Sequence, residues 1–219
     1  MRDRVAAQWR DTPAMLTILA VTAIVSLGLL LFDMTGEAAI RAGFIPGLAR
    51  LHVAVPADAP FMLPVWLTPL SATLVHAGLV HLAFNLLVLA LCGDQLERTL
   101  GWRATAALYL VGAYAAAAGY WFQEPTSAWP LIGANGAVSA LLGAYALLFG
   151  RSRARSIGPI PARVVAIAWL AAAWIGIQLL IGLGDLAAGA LVTVGASIGG
   201  FLAGLALAQP LLLWHYRGA

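Results

Sequence analysis

Two polar side chains, one helical turn apart in an apolar run, carry the first hint of chemistry. In "SATLVHAGLVHLAFNLLVLALCG", residues 71–93, His81 and Asn85 share one helix face, and both can donate a hydrogen bond. His76 precedes His81 by five residues, about 140° around the same helix, which puts it at an outer end facing a loop. A metal site would need carboxylates or thiolates nearby, and a proton relay would need an Asp or Glu in an apolar run; neither is supplied. Two readings remain: polar glue between helices, or donors aimed at a developing negative charge. A second stretch, "IGANGAVSALLGAY" at 132–145, opens with Gly133 and Gly136 ahead of a small-residue helix. Between those glycines, where a nucleophile would be wanted, stands Asn135, an amide.

The elements that must position these groups follow from composition. Of 219 residues, 62% are hydrophobic and 10% charged, with mean hydropathy +0.91. That is too little charge to cover a soluble domain. Apolar runs long enough to cross ~30 Å of hydrocarbon recur, whereas the ~10-residue alternating segments of a barrel are absent. The expectation is an all-α membrane protein with spans at about 14–32, 71–92, 102–122, 134–150, 161–181 and 188–213. The first is too long for a signal-peptide core and lacks a clear cleavage site after it, so it is read as a retained helix. All twelve basic residues are Arg. With the N-terminus inside, ten of them fall in inner segments and only Arg41 and Arg50 outside. That asymmetry puts both termini in the cytoplasm, and its scatter argues against nucleic acid as a partner. Cys92, the single cysteine, excludes an internal disulfide and reads as a small buried hydrophobe.

The outer connection 33–70 is long and not polar; Pro46, Pro56, Pro60, Pro64 and Pro69 prevent a spanning helix there. It is expected to carry short helices in the outer interface, anchored by Phe44, Phe61 and Trp66. "PIPARV" at 159–164 marks a short inner turn. Small residues crowd the fourth span (Gly133, Gly136, Ala140, Gly143) and the sixth (Gly195, Ala196, Gly199, Gly200, Ala203, Gly204), which predicts a close seam between them. A small-molecule transporter is disfavoured, because the spans are read as free of interrupting proline and of charge. One domain, 1–219, is expected.

The run 66–101 resembles the core of the rhomboid family of intramembrane serine proteases. That family carries two His and an Asn at the spacing of His76, His81 and Asn85, then a Gly-x-x-x-Glu matched by Gly93 and Glu97. "GANGAVSALLGAY" and "GASIGGFLAGLALA" fit the frames of its fourth and sixth helices. The resemblance implies a six-transmembrane-helix bundle with a long interfacial first loop and no cofactor or metal. In the family the fourth helix supplies the serine nucleophile and the sixth its histidine base. The matching residues here are Asn135 and Ser197, and the aromatic beside the base is matched by Ser139. The first-loop Trp-Arg pair reads Trp66-Leu67. His81 and Asn85 keep the oxyanion-type positions; His76, Gly133, Gly136 and Ser139 are the accompanying binding positions.

An amide nitrogen has a delocalised lone pair, so Asn135 cannot replace a serine hydroxyl, and Ser197 needs a base to activate it. The reading is therefore a pseudoprotease that binds transmembrane segments of other membrane proteins without cutting them, in a bacterial inner (plasma) membrane. The alternative is an active peptidase with a rearranged Ser197–His81 pair, which would consume the oxyanion donor. Asn135, Ser139, Ser197, His81 and Asn85 are expected to form one hydrogen-bonded cluster. If the dyad is rebuilt with Asn135→Ser and Ser197→His, Ser139 leaves the new imidazole unbraced, so Ser139→Tyr is expected to help.

Overall fold

A computed structural model of the chain describes residues 12–51, 61–150, 155–186 and 194–217. Those residues are helical apart from turns and two isolated bridges. Among the described residues, four helices are long and apolar enough to cross a bilayer: α1 (Pro13–Leu31), α5 (Leu79–Gln123), α7 (Ala162–Leu186) and α8 (Val194–Tyr216). The shorter apolar α6 (Asn135–Phe149) lies between α5 and α7 in sequence. Short helices α2 (Thr35–Ala42), α3 (Pro46–Leu51) and α4 (Thr68–Ser71) occupy the first connection.

The 45 residues of α5 form two arms, because Gly101 breaks the helix with φ 77° and ψ 160°. Only glycine adopts such a conformation without strain. The chain reverses there: His81 on the first arm and Ala116 on the second both meet the start of α6. The first arm anchors α1. Both carboxylate oxygens of buried Glu97 accept first-turn N–H groups of α1, from Ala14 at 2.9 Å and Met15 at 2.7 Å. Those N–H groups have no partner within their own helix, and negative charge favours a helix N-terminus. Met15 packs where a side chain on Gly93 would stand, which explains the Gly93-x-x-x-Glu97 spacing.

The expected seam is present. A Cβ on Gly200 would collide with the Gly136 carbonyl, and one on Gly204 with the Ala140 carbonyl, so α6 and α8 touch backbone to backbone.

Several expectations change. The second span begins at Leu79, not 71, and runs on to the Gly101 break. Residues 71–78 instead pass through a 3-10 turn (Ala72–Leu74) and an extended Val75, held off the helix by bonds from the His76 ring. Phe44 is no interface anchor: it is buried against Ala116, Tyr120 and Leu131, its backbone paired with Leu131. Phe61 and Trp66 are exposed as expected. Pro210 lies inside α8, in its last two turns, and the helix runs through it to Tyr216, so this span is unbroken by proline as read. Residues 188–193 of the sixth expected span lie outside the described residues. So do 1–11 with Arg2, Arg4 and Arg10, 52–60 with Pro56 and Pro60, and Arg151 and Arg153.

Candidate functional site: a self-filled donor pair

Three of the singled-out side chains meet in one network. Asn85 Nδ2 donates to the His81 carbonyl at 3.0 Å and to Asn135 Oδ1 at 2.6 Å, while His81 Nε2 lies 2.8 Å from that same oxygen. The network assigns its own protons. The backbone carbonyl of His81 requires the amide nitrogen of Asn85 on its side. That nitrogen then requires oxygen, not nitrogen, from Asn135. An amide oxygen cannot donate, so His81 carries its proton on Nε2. Two donors thus converge on one carbonyl oxygen, and that oxygen belongs to the chain itself.

The loop before α6 is built to allow this. Gly133 has φ 96°, and a Cβ there would come within 2.7 Å of His81 Nε2. Its N–H donates to the Ala72 carbonyl at 2.9 Å. His76, fully buried, supports the same loop through its ring. Ser26 Oγ donates to the Leu74 carbonyl at 2.8 Å, so the 2.9 Å contact between Ser26 Oγ and His76 Nδ1 is donated by the ring. His76 Nε2 is then bare and accepts the Ala134 N–H at 3.3 Å. A neutral His76 therefore links α1 to the entry of α6. Its ring stands edge-on to His81, centroids 5.0 Å apart.

Ser139 joins the network from below. Its hydroxyl donates to the Asn135 carbonyl at 2.6 Å and accepts from Trp174 Nε1 of α7 at 2.7 Å. Where the resemblance leads one to expect an aromatic ring on α6, the ring arrives from the neighbouring helix. Gly136 sits in the helix seam against Ala116.

Ser197 does not join this network as expected. Ala196 and Gly200 face Gly136 of α6, and Ser197 follows Ala196 by one position, about 100° around the helix. Ser197 is buried there, lining an apolar cleft of about 240 Å³ between α7 and α8 with Trp174, Ile198 and Phe201.

Ser26 and Trp174 were not singled out from sequence. Ser26 gave no signal within an apolar run. A buried Trp needs a partner for its N–H, but Trp169 and Trp174 look alike in sequence; only Trp174 is buried.

The fold and site define an all-helical integral membrane protein with a histidine–asparagine donor pair at the head of a glycine-packed helix. A family model for the Rhomboid domain matches residues 64–214. The chain belongs to the rhomboid family. None of the curated proteins compared matches it.

Proposed function

We propose that this rhomboid-family protein is a pseudoprotease, which holds transmembrane segments of client proteins and does not cleave them. The observation that carries the reading is the Asn135 oxygen lying 2.6 Å from Asn85 Nδ2 and 2.8 Å from His81 Nε2. Donors that would stabilise a tetrahedral oxyanion must be free to meet it; here an amide already satisfies them. The attacking hydroxyl is missing from the same position. Ser197, the residue left with a hydroxyl at the base position, lines the apolar α7–α8 cleft, while Nε2 of His81 is committed to Asn135. No observation favours the rearranged peptidase.

In this reading the chain forms one domain of six spans, with the arms of α5 counted separately. The first connection lies outside, both termini lie in the cytoplasm, and the host membrane is a bacterial inner membrane. The partners are single transmembrane helices entering from the bilayer.

Photo-crosslinkers placed at the outer ends of the first arm of α5 and of α7 test the proposal in membranes. Trapping of single-span proteins above the level given by a crosslinker on α1 is expected. Equal trapping from all three positions would remove support for client binding.

A further inference from the structure

At the end of α6 away from the His81–Asn85–Asn135 network lies a second cavity, of about 410 Å³. Gln95 on the first arm of α5, Arg163 at the start of α7, and Tyr145 with the closing residues of α6, Leu147 to Gly150, bound it. Its level in the membrane follows from its neighbours. Gln95 precedes the Gly101 break by six residues, about 9 Å along the helix. His215 of α8 packs on Gly101, so Trp214 and Tyr216 stand at that break beside Trp102. All three rings are exposed, and the Arg103 guanidinium lies over the Trp102 ring. Exposed Trp and Tyr beside Arg mark the level of lipid headgroups. The cavity opens within two helical turns of it.

Two opposite poles face each other there. Arg163 has five N–H donors, and the Leu147 carbonyl takes one hydrogen bond from them. No carboxylate lines the cavity among the described residues. The nearest in sequence are committed elsewhere: Asp94 pairs with Arg98 and accepts from Thr12, and Glu97 accepts the first N–H groups of α1. The other pole is the end of α6. A helix's last carbonyls lie outside its own ladder, and its C-terminus is partially negative. Gly150 N–H reaches the Ala146 carbonyl and Arg163 that of Leu147; Leu148 and Phe149 complete the acceptor end.

A simple anion would satisfy only the guanidinium, and a simple cation only the carbonyl end. A phosphate joined by a short linker to a primary ammonium satisfies both. We propose that this cavity binds the headgroup of a phosphatidylethanolamine lipid. Arg163 and Gln95 donate to the phosphate, and the ammonium donates to the carbonyl end of α6. The lipid is favoured over a free phosphoethanolamine by the headgroup level of the cavity and by half-buried Leu148 and Phe149, which offer apolar contact to the start of the acyl chains. The site is independent of client binding; on the proposed topology it faces the inner leaflet.

The test is native mass spectrometry of the full-length protein released from detergent micelles, with added phosphatidylethanolamine, phosphatidylcholine or phosphatidylglycerol of matched chains. One phosphatidylethanolamine should be retained at lower concentration than either competitor. Arg163→Met should weaken that retention at least about tenfold, the scale of one charge-assisted hydrogen bond. Arg163→Lys should restore most of it. Arg103→Met, which removes a charge at the same level but outside the cavity, should leave it unchanged. Gln95→Leu, at an exposed position, should weaken it about threefold and decides the matter if Arg163→Met does not fold. Equal retention of phosphatidylcholine would remove the role of the ammonium. Equal retention of phosphatidylglycerol, or an equal loss in Arg103→Met, would reduce the effect to general surface charge and overturn the site. Displacement of the lipid by soluble phosphoethanolamine at equal concentration would overturn the choice of a lipid as the occupant.

Discussion

Along α8, helix α6 is met by backbone: the Gly136 and Ala140 carbonyls lie where side chains on Gly200 and Gly204 would be. Along α7 it is met by tips of long side chains, Arg163 on the Leu147 carbonyl and Trp174 on Ser139, with an apolar cleft of about 240 Å³ left between α7 and α8. Few residues of α7 are buried at all, Val165, Trp174 and Gln178 among those described. Close backbone packing has no adjustable parts, whereas side-chain tips can change rotamer and partner. The glycine side thus stores the shape of the site, and under the proposed function the α7 side is where a client segment enters. The chain keeps the glycine seam while Asn135 stands at the family's nucleophile position; on the proposed reading, the part that shapes a binding notch is retained and the part that performs a reaction is lost.

The contrast is broken most severely at the seam. Gly204→Val should cost at least about 3 kcal/mol or prevent folding, because the new side chain meets backbone that cannot yield. Gly176→Ala on α7, where a Cβ meets nothing within 4 Å, should be neutral or stabilising by up to about 1 kcal/mol, because alanine favours the helix interior over glycine. Denaturant titration of both variants in micelles measures the difference, and similar costs would erase the distinction between the two sides. Glu97→Ala should come next. Losing two hydrogen bonds to a buried carboxylate and uncapping α1 is expected to cost about 2–4 kcal/mol, with amide exchange accelerated in the first turn of α1. Asn135→Ala leaves two donors without their acceptor and should cost about 1–2 kcal/mol. It should also tighten binding of a single-span client peptide, by clearing the donors; unchanged affinity would show that those donors play no part in binding. Ser139→Ala, on the adjustable side, should cost about 0.6–1.7 kcal/mol and shift the fluorescence of Trp174, a change checked against a Trp174→Phe background.

Much of this site was legible in the sequence, and the limits have physical causes. His81 and Asn85 share a face by helical period alone, and the glycine spacings on α6 and α8 announced their contact. The meeting of Asn135 with that pair followed from the family resemblance. Contacts between distant segments were hidden. Nothing local distinguishes Phe44, which plugs the interior, from exposed Phe61, or Trp174 from Trp169. Glu97 was recognised as part of a spacing, but its role as cap of α1 depends on a helix more than 80 residues earlier. Ser197 was placed in the polar cluster by the family resemblance; one position after Ala196 of the seam, it points about 100° away from α6. The repair expected from Ser139→Tyr also changes. Trp174 Nε1 is 2.7 Å from the Ser139 hydroxyl, so a tyrosine there needs Trp174 reduced as well.

The central claim is that the site's shape persists without its reaction. Its most direct test is to co-reconstitute the purified protein with a fluorescent single-span substrate, add a fluorophosphonate probe in parallel, and follow both cleavage products and probe labelling. The account predicts intact substrate and no labelling, in wild type and in Ser197→Ala alike. Substrate fragments or labelling in wild type that disappear in Ser197→Ala would contradict it.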